Sequence, residues 1–151
     1  MDRKLAAIMS ADVVGYSRLT AVDEEGTIRA LDRSRERIGR RVAEYGGRIF
    51  NVAGDGVMAE FASAVQAVRC AVHIQRELST DESEGDSGLK FRIGINLGDV
   101  VISGDDLLGD GVNVAARLQS IAGSSAICIS GARSAGFDRA ARCRGIQGFA
   151  G

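Results

Sequence analysis

Asp12 and Asp55 each follow a short apolar run, in Ile8-Met9-Ser10-Ala11-Asp12-Val13 and in Ile49-Phe50-Asn51-Val52-Ala53-Gly54-Asp55-Gly56. A carboxylate at the rim of a buried strand is costly unless it is paired, solvated or holding a cation. Farther along, Asp106-Leu107-Leu108-Gly109-Asp110-Gly111-Val112-Asn113-Val114-Ala115-Ala116-Arg117 sets an Asn and an Arg one helical turn apart on a single helix face. Mg2+ and Mn2+ take hard oxygen ligands, typically one or two protein carboxylates together with substrate phosphates. A planar guanidinium offers several donors to phosphate oxygens. The combination points to a site that handles metal ions and phosphates. Taken singly, the two aspartates fit a helix cap and a hairpin turn equally well, and Asn113 with Arg117 fits an exposed polar helix face.

The elements that must carry these residues follow from hydrophobic periodicity. Residues 5–14 form a buried strand broken by Gly15, and Thr20 with Asp23 fits a capping box ahead of two glutamates. Ile28, Leu31, Ile38, Val42 and Tyr45 recur at helical spacing up to Gly46-Gly47. Residues 48–53 and 57–61 flank Gly54-Asp55-Gly56, which predicts a hairpin with Asp55 at its turn. Ala64, Ala67, Ala71, Ile74 and Leu78 mark a second amphipathic helix, and residues 80–88 are a polar, acidic loop. Residues 91–102 predict a long strand or hairpin arm bent near Gly98, with Gly98-Asp99 and Gly104-Asp105 as turns. Asp110 is placed to cap a helix over residues 111–121, and residues 126–129 return as a strand. The order is an α+β fold of ferredoxin-like (palm-like) type, an α/β sandwich with a largely antiparallel sheet and helices packed on one face. After Ser130 the pattern dissolves into Ala, Arg and Gly.

At 151 residues and 45% apolar content, residues 1–151 suit one domain with a real core. Lys+Arg 19 against Asp+Glu 20 gives a formal net charge of -1, so charge makes no case for nucleic acid or an anionic membrane as partner. No apolar stretch approaches the roughly 20 residues of a membrane span, and the start of the chain suits a core strand better than a signal peptide. Cys70 and Cys128 lie in apolar runs and are expected as reduced thiols of a cytoplasmic protein. His73, the one histidine, is expected to pack on its helix, and the arginines at 33, 35, 37, 40 and 41 to form a solvated helix face.

These three segments, in this order and spacing over residues 5–129, resemble the catalytic domain of class III nucleotidyl cyclases, the adenylyl and guanylyl cyclases. The resemblance implies that Asp12, Asp55 and the backbone carbonyl of Val13 hold two divalent cations, Mg2+ or Mn2+. It further implies that Asn113 orients the nucleotide at its ribose and that Arg117 neutralises phosphate charge. Asp106 falls where adenylyl cyclases carry an acceptor for the adenine amine, and guanine presents its own acceptor, O6, at that position. The implied activity is conversion of ATP to 3′,5′-cyclic AMP and pyrophosphate, in a homodimer whose sites take metals from one chain and Asn113 and Arg117 from the other. Guanylyl turnover stays open. Asn51 stands where the family's adenylyl cyclases usually place a base-binding Lys, and the chain has no lysine after Lys90 to bind triphosphate near Gln147-Gly148-Phe149, leaving Arg142 or Arg144 as substitutes. These departures keep alive a second expectation, a catalytically silent nucleotide-binding or regulatory dimerisation module. A cyclase-like sheet calls for at least one more strand after Ser130, so the chain is expected to be truncated at its C-terminal end.

Overall fold

The computed structural model describes residues 2–80, 89–130 and 142–145. Residues 81–88 of the predicted acidic loop and the Gln147-Gly148-Phe149 stretch lie outside those residues, while Thr80 ends a helix. The central strand β1 (Arg3–Val13) pairs antiparallel with β4 (Phe91–Ser103) along its whole length, from Arg3 opposite Val101 to Val13 opposite Phe91. On the other side of β1 lies the hairpin of β2 (Arg48–Ala53) and β3 (Gly56–Phe61). Beyond β4 come β6 (Ala126–Ile129), parallel to it, and β7 (Arg142–Gly145). The short β5 (Asp106–Leu108) folds back on β4. The sheet order is β2-β3-β1-β4-β6-β7 with β5 off this path, a largely antiparallel arrangement as the sequence predicts.

Two helices, α2 (Glu24–Glu44) and α3 (Ala64–Thr80), cover the large core made by Ala7, Met9, Ala11 and Val13 of β1 with Ile93 and Ile95 of β4. Alternation along β1 turns Ala6 and Ile8 the other way, where they join Val112 and Ala115 of α4 (Asp110–Ile121) in a second cluster. Burial on both faces is why β1 reads as a continuous apolar run. Gln75, buried in α3, donates 3.0 Å bonds to the carbonyls of Phe91 and Ala126 and ties α3 to two strands.

Several boundaries differ from expectation. Residues after Gly15 form a separate helix, α1 (Tyr16–Val22), within which Thr20 bonds the Ser17 carbonyl; Asp23 alone caps α2 through Gly26 N–H. Asp110 is not a cap: Gly109 holds that place and Asp110 is the first residue of α4. Gly98 and Asp99 lie inside β4, paired with Ala6 and Leu5, because the long β1 ladder holds them straight; Gly104-Asp105 is the turn. The strand β7 appears where hydrophobic pattern was lacking. It sets Cys143 opposite Cys128 in register, and Cys128 is disulfide-bonded rather than a reduced thiol. Cys70 is free, and burial pushes its thiol up to about 12. His73 packs edge-on against Tyr45, with Nδ1 3.2 Å from the phenol oxygen.

The backbone of α4 comes close to the sheet at Gly94 of β4. A Cβ there would lie 2.3 Å from the amide nitrogen of Gln119 and 2.4 Å from the carbonyl oxygen of Ala115, both backbone atoms of α4. Gly94→Ala should therefore lift α4 off the sheet and lower unfolding free energy by about 3 kcal/mol in chemical denaturation. Stability equal to wild type would show that α4 docks differently.

Candidate active site

Asp12 reaches its position because β1 runs to Val13 beside β4, which makes Arg92 its cross-strand partner. Arg92 straddles the carboxylate, with Nε and Nη2 each 3.2 Å from Oδ1 and Nη2 3.3 Å from Oδ2. Gln119, buried on α4, donates to Oδ1 at 2.7 Å, and its own Oε1 lies 3.5 Å from the Ser10 hydroxyl. Arg92 also donates to the Ser120 carbonyl at 3.2 Å, so Asp12 is joined to α4 twice.

Asp55 arrives from the opposite direction, on the two-residue turn between Ala53 and Gly56. Gly54 takes φ 58, the left-handed backbone such a turn favours. The Val13 N–H donates to Asp55 Oδ2 at 3.0 Å and locks the hairpin tip onto the end of β1. The two aspartates 43 positions apart in sequence therefore line one cleft of about 330 Å³. Asn51 faces the same cleft, as do Met58, Ala116 and Gln119. A register shift between Ile49 and Asn51 puts Asn51 opposite Met58, the re-aiming that a β-bulge performs.

Burial raises the pKa of Asp12 above its ordinary 3.8, and the charge of Asp55 adds to the effect; Arg92 and Gln119 pull it down without cancelling the rise. Each carboxylate is anchored mainly through one oxygen, Oδ1 of Asp12 and Oδ2 of Asp55. The other oxygens, Oδ2 of Asp12 with one long contact and Oδ1 of Asp55, retain acceptor capacity toward the cleft. Two adjacent carboxylates with spare oxygens fit a hard divalent cation shared with substrate phosphates. Among the described residues no group of three or more His, Cys, Asp and Glu gathers, so an all-protein cage is not built.

Asn113 and Arg117 lie elsewhere. Both are exposed on the outer face of α4, whose Val112, Ala115, Leu118 and Gln119 are turned inward. Among the described residues Arg117 pairs with Asp110, at 3.9 Å, with both side chains well exposed, a contact of little energetic weight. Asp106 sits on β5 away from the cleft, and its Oδ1 accepts the Leu107 N–H at 2.8 Å. Arg144 is exposed on β7. The structure brings together Asp12, Val13, Asp55 and Asn51, and leaves Asp106, Asn113 and Arg117 outside that cleft.

Sequence reasoning missed Arg92 and Gln119. Arg92 follows from the observed register of β1 against β4, Val13 opposite Phe91; the predicted strands, matched at Val14 and Phe91, would set Ile93 across from Asp12. Gln119 carries no such signal; it lies two residues past Arg117 and turns inward. Arg35 was missed as well: instead of a solvated face, its guanidinium reaches the carbonyls of Gly54 and Gly56.

Residues 3–141 match the family described as "Adenylate and Guanylate cyclase catalytic domain". A Rhizobium meliloti (strain 1021) protein named "Putative adenylate cyclase 3" is 44% identical over 131 residues, covering 85% of this chain and 22% of that protein. An adenylate cyclase of Streptomyces coelicolor is 34% identical over 130 residues, 85% of this chain and 33% of that protein. The chain thus spans a third or less of these curated relatives. The crystal structure of an adenylate/guanylate cyclase/hydrolase from Silicibacter pomeroyi is 42% identical with TM-score 0.78, over 85% of this chain and 77% of that one.

The raised pKa of Asp12 has a definite sign. Its folded carboxyl holds a proton more tightly than the unfolded one, so its contribution to stability is fullest below 3.8 and is lost as pH rises through the window above that value. In metal-free buffer, the thermal midpoint of Asp12→Asn should gain on wild type between about pH 3 and about pH 7. A difference that stays constant with pH would mean that burial does not penalise the Asp12 charge.

Proposed function

Because the chain belongs to the adenylate and guanylate cyclase catalytic domain family, we propose that it is an adenylyl cyclase catalytic domain converting ATP to 3′,5′-cyclic AMP and pyrophosphate. The observation that carries this reading is the pairing of Asp12 and Asp55 at one cleft, locked by the Val13 N–H. Two divalent cations, Mg2+ or Mn2+, bound by Asp12, Asp55 and the Val13 carbonyl would lower the pKa of the ribose 3′-hydroxyl and stabilise charge at the α-phosphate. The nucleophile belongs to the substrate, so the chain's task is to position groups and to complement developing charge. Arg92 and Gln119 hold Asp12 in one orientation, and the hairpin brings Asp55 to meet it.

In this reading Asn51 faces the base and its amide donates to adenine N1, while Asp106 accepts from the exocyclic amine. Asn113 orients the ribose and Arg117 neutralises the phosphates. The exposure of Asn113 and Arg117, away from the chain's own cleft, supports their service to the site of a second copy. An isologous homodimer then contains two equivalent composite sites, and a lone chain contains none. The adenylate cyclase names of relatives at 44% and 34% identity favour ATP. Among the described residues no helix is long and apolar enough to cross a membrane. An ATP-consuming domain of this kind works in the cytoplasm.

Purified protein should release cyclic AMP from ATP only when Mg2+ or Mn2+ is present, and faster than it releases cyclic GMP from GTP. Nucleotide binding without product would identify the silent module instead. Asp12→Ala and Asp55→Ala should each lower turnover by at least about a hundredfold while the protein stays folded. Wild-type rates in either variant at saturating metal would remove the two-metal assignment.

Sharing of sites has its own test. Equal mixing of Asp55→Ala with Arg117→Ala should restore activity to about a quarter of wild type, since about half the dimers are mixed and each has one intact site. No recovery, with subunit exchange verified, would place all the groups in one chain.

A further inference from the structure

We propose that Arg35 is a positioning residue for the metal site, clamping the turn that presents Asp55; this rests on the reading of Asp12 and Asp55 as metal ligands. The turn itself is poorly constrained. Asp55 is flanked by two glycines, Gly54 in the two-residue turn and Gly56 at the start of β3, and Gly54 takes φ 58, so the backbone around Asp55 has little side-chain packing to fix it. The Val13 N–H restrains Asp55 from the β1 side. Arg35 restrains the same turn from the α2 side, where its Nη2 donates to the Gly54 carbonyl and lies 3.5 Å from the Gly56 carbonyl, bracketing Asp55.

Three features distinguish this contact from an incidental surface one. Leu31 and Ile38, one turn to either side of Arg35 on α2, are 3% and 1% exposed, so the root of the side chain is fixed in the core. α2 is in turn capped by Asp23 and joined to α3 through the 2.8 Å pair of Arg41 with Glu77. Finally, Arg35 Nε is buried with no hydrogen-bond partner. A buried unmet donor is unfavourable, and the position tolerates it because only a long, forked side chain spans from α2 to both carbonyls.

The test is Mn2+ titration of the nucleotide-free protein, followed by calorimetry, with Asp55→Asn confirming that binding needs Asp55. Arg35→Met keeps much of the apolar stem and removes the fork. It should weaken Mn2+ binding about tenfold, the scale on which residues supporting metal ligands act. Amide exchange at residues 54–56 should speed up, while the β1–β4 ladder stays as protected as in wild type. Arg35→Lys, able to reach one carbonyl, should recover part of the affinity. If wild type binds Mn2+ through Asp55 and Arg35→Met binds equally well, the clamp is overturned and the metal reading stands. If wild type binds no Mn2+, or Asp55→Asn binds as well as wild type, both fall together. Should Arg35→Met fail to fold, Arg35→Lys decides: wild-type affinity with wild-type exchange at the turn overturns the clamp.

Discussion

The structure is organised around the cost of holding two carboxylates side by side at the partly buried end of its central strand. Like charges at short range disfavour each other, and burial penalises the charge of Asp12. The protein meets this cost from every direction available to it. Arg92 comes from the neighbouring strand, Gln119 from the helix behind, and the Val13 N–H from the strand end itself. None of these donors cancels the upward pull on Asp12. The charged form of Asp12 therefore keeps a net penalty, which an opposite charge placed in the cleft would relieve.

Gln119 and Arg92 link Asp12 to α4, because one bonds Asp12 from the helix and the other joins Asp12 to the Ser120 carbonyl. The inner face of α4 is pressed onto Gly94 closely enough that no side chain fits between. Its outer face carries Asn113 and Arg117 into solvent. One helix thus braces a carboxylate on one side and displays two polar groups on the other, so both are fixed in a single frame.

Much of this was legible in the residues. A strand with Asp12 near its end and a hairpin turning at Asp55 follow from apolar runs broken by glycine; the common role that the resemblance implies for the pair is a proposal. What escaped was whatever depends on contacts between distant segments. Arg35 sits among arginines and acids that have every mark of a solvated face, and only the tertiary approach of the hairpin distinguishes it. Asp110 has the chemistry of a cap, yet Gly109 with φ 108 holds the position through its backbone. Cys128 reads as a buried thiol yet is disulfide-bonded, and the strand beside it, β7, forms almost without apolar residues. Periodicity reports burial, and these features arise from pairing.

The bulge in β2 has a consequence for solubility. In the sheet order β2 is a terminal strand, and a long regular edge offers its free backbone groups to any passing chain. The extra residue near Phe50 interrupts that row midway, and Arg48 and Asn51 add polar side chains along it. A straight β2 would offer a continuous template for intermolecular strand addition and fibre growth. The same irregularity that turns Asn51 toward the cleft therefore also guards the protein against self-association through its edge.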